Sequence, residues 1–346
     1  MKGEKKVKDK NSILRYFSPD IRILLDKNTA DIHEIRLRCE KPLVAVSYSR
    51  KKYVLKNGGL SDYSAGAYIV SSKDIEYTFS SICDYSIHSY ENEIAQGFIT
   101  VNGGHRAGIA GSAVISGGRV SAVKYISSIN FRVASQVNGC ADRIYRELFA
   151  DKPCSVLIAG APSSGKTTVL RDLCRQLGEK YSVSVIDERG EIGAVYHGRT
   201  QNDTGFMCDI FDGYPKAYGL RTALRVMSPE IAVCDEIGGD DDIGQLVSCA
   251  NSGVRIAASA HAGSIDELYS RPDIRTLLEN RVFDYIVMLG DRSLPGTVRK
   301  IERISYDGLE ALRNNYDSVR FFDDRSSNVR KTLRTCKDSG NADKSD

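Results

Sequence analysis

The sequence has no tryptophan and no apolar run approaching the roughly 20 residues of a membrane-crossing helix. Its longest apolar stretches, "SVLIAGA" and "YIVMLG", are far shorter, so no spanning segment is expected. It also lacks a CxxC pair or any Cys/His spacing suited to a metal. Its nine cysteines are scattered, which argues against a disulfide framework or a zinc site and for reduced thiols in the cytoplasm. Charge of one sign is missing too. Lys and Arg number 48, Asp and Glu 45, leaving +3. So small an excess, with both signs interspersed, argues against nucleic acid as a partner. The opening "MKGEKKVKDK" has no apolar segment behind it, so no secretory leader is read there.

What is present suits a globular chain of two domains. The 346 residues include 41% apolar and 27% charged residues, ordinary values for a chain of that kind. Residues 1–10 and 324–346 are polar and predict disordered ends. Residues 11–137 mix helical pieces with alternating, glycine-punctuated runs such as "GFITVNGGHRAGIAG", the pattern of a smaller α+β domain. A connecting helix is expected over 138–152. The pattern changes over residues 153–323, where "CSVLIAG", "SVSVID", "IAVCD", "RIAASA" and "FDYIVMLG" are short, continuously apolar and separated in part by helical stretches. That is how parallel strands buried on both faces read.

Gly160-Ala161-Pro162-Ser163-Ser164-Gly165-Lys166-Thr167, followed by Thr168, matches GxxxxGK[ST] in full, between a strand and a helix. The glycines allow a tight loop whose N–H groups turn inward toward phosphates, and the helix N-terminus adds positive charge. The pattern assigns ATP to residues 160–168, the β- and γ-phosphates to Lys166, and Mg2+ to the Thr167 hydroxyl. Three further strand ends carry polar groups. "IAVCDEIGG" ends in Asp235, assigned to the metal, and Glu236, assigned as general base for the attacking water. "SVSVIDERG" ends in Asp187 and Glu188, expected near the γ-phosphate, the alternative being an ion pair with Arg189. "RIAASAHAGS" ends in His261, placed to sense the γ-phosphate or else structural. In the first half, Arg106 and Arg132 are candidates to reach a phosphate from another domain or subunit, the alternative being solvated or structural arginines.

The order "VIDE", "LRVMSPEIAVCDEIGG" and "AASAHAGS" after the phosphate loop resembles the secretion ATPase superfamily, hexameric motors of secretion and pilus retraction. Its acidic box falls on Asp187 and Glu188, its leading segment on Leu224, Arg225 and Pro229, and its histidine box on His261. "HEIRLRCEKPL", "ENEIAQGFITVNGGHRAGIAG", "SINFRVA" and "VIDERGEI" extend the likeness to the stage III sporulation AA family. The resemblance implies an α/β fold with a RecA-like P-loop ATPase domain and a hexamer. It further implies a peripheral position on the cytosolic face of a membrane channel complex, in the mother cell of an endospore former. The chain departs from many secretion motors in carrying Asp-Glu where they carry Gly-Glu. Two other classes stay open on the residues alone. One is a nucleic-acid-stimulated motor, decided by turnover with added strands. The other is a non-hydrolysing assembly switch, decided by turnover itself.

Overall fold

The computed structural model describes residues 4–7, 11–27, 32–47 and 50–305. The chain opens with β1 (Glu4–Val7), α1 (Asn11–Leu14) and α2 (Pro19–Asp26), then β2 (Ile32–Arg38), β3 (Val44–Ser47), β4 (Arg50–Val54) and β5 (Leu60–Ser61). Helices α3 (Ser72–Ile82) and α4 (Glu91–Gln96) precede β6 (Phe98–Val101), β7 (His105–Ser116), β8 (Arg119–Arg132) and β9 (Ser135–Asn138). Strands β2 to β8 form one seven-stranded sheet in the order β5-β4-β3-β2-β8-β7-β6, with antiparallel neighbours throughout. Alternation along the strands sends Ile35, Leu37, Ala45, Ile99, Ala107 and Phe131 to one face, where they are buried against the helices. Helix α3 is capped at its start, where Ser71 and Asp74 form a reciprocal capping box.

The second half begins with α5 (Asp142–Leu148), shorter than the helix expected over 138–152, and β10 (Val156–Gly160). It continues through α6 (Lys166–Leu177), β11 (Val183–Asp187), β12 (Cys208–Asp212), α7 (Lys216–Val226), β13 (Ile231–Cys234) and α8 (Asp240–Asn251). It ends with β14 (Arg255–His261), α9 (Ile265–Ser270), α10 (Pro272–Glu279), β15 (Tyr285–Leu289) and β16 (Val298–Arg303). These strands form a second seven-stranded sheet, ordered β12-β11-β13-β14-β10-β15-β16. Every neighbouring pair is parallel except β15 and β16. The continuous apolar runs are explained by cover on both faces. Leu157 and Ala159 face a core with α7 to α10, while Val156 and Ile158 face one with α5 and α6.

The structure differs from the sequence-based expectation at three places. Glu4–Val7, inside the predicted disordered end, pairs antiparallel with Ser135–Asn138, because a ladder is made by backbone groups and does not require apolar side chains. Strands β12 and β16 have no counterpart among the apolar runs. They lie at the two edges of their sheet, where "CDIFD" and "VRKIER" need no full apolar cover. The predicted tail over 324–346 lies outside the described residues. Among the described residues no helix is long and apolar enough to cross a membrane.

Candidate active site

Four strand ends meet at one edge of the parallel sheet. In the order β11-β13-β14-β10 they deliver Asp187, then Asp235 and Glu236, then His261, then Gly160. Register places His261 directly opposite Gly160. A cavity of about 350 Å³ opens there, lined by Ser163, Gly165, Lys166, Thr167, Thr168, Asp235, Glu236 and His261, together with Ser259 and Pro295. Gly160 and Ala161 point their carbonyls at Lys166, and Ser164 is fully buried behind the loop. Pro162 is exposed at the loop tip.

The lysine is held tightly. Lys166 is buried, and its Nζ donates to Gly160 O at 2.9 Å, Ala161 O at 3.0 Å and His261 Nδ1 at 2.9 Å. Burial pushes its pKa down, and the nearby Asp235 and Glu236 carboxylates push it partly back. An ammonium only donates, so His261 Nδ1 accepts and the ring proton sits on Nε2. That proton meets Glu236 Oε1, 3.0 Å away. Glu236 also forms an ion pair with Arg189. A chain of contacts therefore joins Lys166, His261 and Glu236 in the cavity to Arg189 outside its lining. Glu236 holds this place with φ of 48°, a backbone conformation uncommon for a residue with a Cβ and concentrated at functional sites.

Ser259 supports both acids. Its hydroxyl donates to Asp235 and accepts from the Glu236 N–H at 3.0 Å. Sequence reasoning does not single out Ser259, although it stands two positions before His261 on one strand and so shares its face. Nor does it find the β15–β16 connection. The Gly296 N–H donates to Ser164 O at 2.7 Å, and Pro295 lines the cavity. The approach is close enough to demand glycine at 165: a Cβ there would lie 2.6 Å from Gly296 N, on a backbone with φ of +90°.

Some expected residues lie elsewhere. Asp187 is buried and accepts the N–H groups of Glu191, Ile192 and Gly193 at 2.8, 3.0 and 2.7 Å. It shapes the turn after β11. Glu188 does not line the cavity and does not pair with Arg189; it accepts from Lys216 Nζ at 2.9 Å. The reason is strand order. β13 and β14 intervene between β11 and β10, a separation of about 14 Å at ordinary strand spacing. Arg106 and Arg132 face each other across β7 and β8. Arg106 stacks on the Phe98 ring, pairs with Glu191 at 2.9 Å and donates to Arg189 O in its own chain. Arg132 is largely exposed, 3.4 Å from Glu34. With the half-buried Arg171 they border a separate 210 Å³ cleft between the two sheets.

The chain is similar to known proteins. The family model described as "Sporulation stage III, protein AA" matches residues 7–307. Stage III sporulation protein AA of Bacillus subtilis (strain 168) is 34% identical over 277 residues, 78% of this chain and 86% of that protein. Among solved structures, the pilus retraction motor PilT with bound ADP superposes with a TM-score of 0.54 at 14% identity, covering 87% of this chain and 88% of that one. The ATPase DotB of Yersinia pseudotuberculosis gives 0.51 at 14% identity, covering 97% and 90%. At such identity these two establish a shared fold only. The family is established by the sequence matches: the chain belongs to the stage III sporulation protein AA family.

Proposed function

We propose that this chain is a Mg2+-dependent, ATP-hydrolysing motor of the secretion ATPase type, acting on a membrane channel complex during endospore formation. The observation that carries the reading is the convergence of Lys166, Asp235, Glu236 and His261 on one cavity at the phosphate loop. Residues 153–323 are read as a RecA-like P-loop domain, residues 11–137 as a smaller preceding domain, and 138–152 as their connector.

The residues present fit a nucleotide and its metal. Lys166 Nζ is satisfied by its own loop carbonyls and a histidine, bonds that phosphate oxygens can replace. The Ser164 hydroxyl, beside Gly160 at the base of the loop, is buried with no hydrogen-bond partner. Thr167 and Asp235 would hold Mg2+, which supplies charge neutralisation at the phosphates. Ser259 orients Asp235 for that task. Glu236 then accepts a proton from the attacking water, once its carboxylate turns from Arg189. His261, with Nδ1 on Lys166 and Nε2–H on Glu236, links the phosphate-binding lysine to the base.

Arg132 is exposed and belongs to the first half of the chain. It is the arginine better placed to complete the site of a neighbouring copy, while Arg106 is engaged at home. The assembly expected from the family resemblance is a homo-oligomer, a hexamer, peripheral on the cytosolic face of the mother-cell membrane. Orthophosphate release with ATP and Mg2+, followed against protein concentration alongside mass in solution, tests the proposal. Turnover per chain that rises as the oligomer forms supports it. ATP binding without release, at every concentration, would reduce the protein to a nucleotide switch.

A further inference from the structure

The first sheet buries one face in its core; the other carries mainly polar and charged side chains, half-buried or exposed. On this second face, register aligns side chains from distant parts of the chain. Glu34 of β2 opposes Arg132 and Val46, and Val46 opposes Lys51. One step along, Arg36 opposes Asn130 and Val44, and Val44 opposes Tyr53. Arg38 follows on the same face of β2. At this end of the sheet the strands form a groove of about 610 Å³. Its cations are Arg36, Arg38, Lys41, Lys51 and Lys52, on a floor that includes Val44 and Tyr53. The only acid in its lining, among the described residues, is Asp62. A chain whose charges nearly cancel overall thus concentrates five cations against one acid.

Three of these cations are exposed and unspent. Arg38, Lys41 and Lys51 make no ion pair among the described residues. The other two show what the groove accepts: Lys52 Nζ lies 2.6 Å from the Asp62 carboxylate, and Arg36 the same distance from Glu34. Lysines on an edge strand often serve only to block edge pairing. That explanation reaches β4 but not Arg36 and Arg38, because β2 is the middle strand of the seven. The edge itself is incomplete. β5 pairs only with Tyr53 and Val54, so along Arg50–Lys52 no described strand covers the outer side of β4.

We propose that this groove docks an acidic segment of a partner protein, its carboxylates on Arg38, Lys41 and Lys51. The features favour a peptide over other anionic partners. A bilayer surface is flat, whereas these cations line a concavity. A nucleic-acid strand is held by stacking on exposed rings, and the groove's one aromatic, Tyr53, is half-buried. The inference is independent of the proposed ATPase reading, since none of its residues lines the phosphate cavity.

The test uses the full chain and a fluorescein-labelled peptide of alternating Glu and Val, read by anisotropy. Binding should weaken steeply between about 50 and 200 mM salt, as exposed charges do on the scale of the Debye length. Each of Arg38→Glu, Lys41→Glu and Lys51→Glu should weaken it about fivefold, and the triple reversal about a hundredfold, as exposed ion pairs are worth. Asp62→Asn should strengthen it, because it frees Lys52. If the reversals unfold the protein, the triple Gln variant replaces them. The proposal is overturned by no binding of the acidic peptide, by equal binding by the triple variant, or by tighter binding of phosphatidylglycerol vesicles or of oligo-dT than of the peptide. Self-association abolished by the triple reversal also overturns it, assigning the face to a second copy.

Discussion

Replacing Glu236 by Gln separates the chemistry of the site from its architecture. The substitution keeps the side chain's shape and removes its charge. Gln still offers an oxygen to the Nε2–H of His261, 3.0 Å away in the native chain. What is lost is the ion pair with Arg189, whose side chain is 64% exposed while that of Glu236 is 35% exposed. Arg189 therefore remains hydrated, and the loss should cost no more than about 1 kcal/mol, the worth of an exposed pair. For a chain this long that lowers Tm by only about 2–4 °C. Hydrolysis should respond on another scale. General-base help is worth about 10²–10⁴ in rate, or about 3–5 kcal/mol of barrier. The assay is single-turnover phosphate release with ATP in excess of its Kd, run beside thermal melting. A Tm within a few degrees of wild type and a rate at least a hundredfold lower are expected. A Glu236→Gln protein that hydrolyses ATP within threefold of wild type would refute the assignment of the base.

Other perturbations address the neighbouring groups. Ser259→Ala removes the hydroxyl that donates to Asp235; the Mg2+ concentration for half-maximal turnover should rise, as it should more strongly for Asp235→Asn, and unchanged Mg2+ titrations would disconnect Asp235 from the metal. Mixing Arg132→Ala with Lys166→Ala, each inactive alone, should restore part of the activity through composite sites; mixtures that co-assemble yet stay inactive would return Arg132 to a structural role. Asp212 has its pKa raised to about 6, chiefly by burial and then by Asp187 and Glu93. A carboxyl raised in the fold lends stability at low pH that disappears as pH rises through about 6, so Asp212→Asn should raise Tm at pH 7.5 and leave it unchanged near pH 4. Equal shifts at both pH values would contradict that account.

The parts of this molecule legible in the sequence are those governed by local pattern. β10, β11, β13, β14 and β15 are buried on both faces and announce themselves as unbroken apolar runs. The phosphate loop is a contiguous motif whose glycines are demanded by geometry, as the approach of Gly296 to Gly165 illustrates. What is not legible depends on strand order and on contacts between distant segments. β12 and β16 are edges with mixed faces. Glu188 follows a strand that comes next in sequence but stands three places from β10 in the sheet. The meeting of Arg189 with Glu236, and of Arg106 with Glu191, joins residues 47 and 85 positions apart. Ser259 alone is within reach of pattern, through the two-residue period that puts it beside His261.

If the chain is a motor, Lys166 and the acids around it must turn over ATP. The decisive comparison is orthophosphate release by the purified chain and by a Lys166→Ala protein of matched Tm. Mg2+-dependent release is expected from the wild type, with loss of both nucleotide binding and release in the variant, because the substitution removes the cation that the loop presents to the phosphates. Equal release by the two proteins, or none by a wild type that is folded and assembled, would show that this site does not hydrolyse ATP.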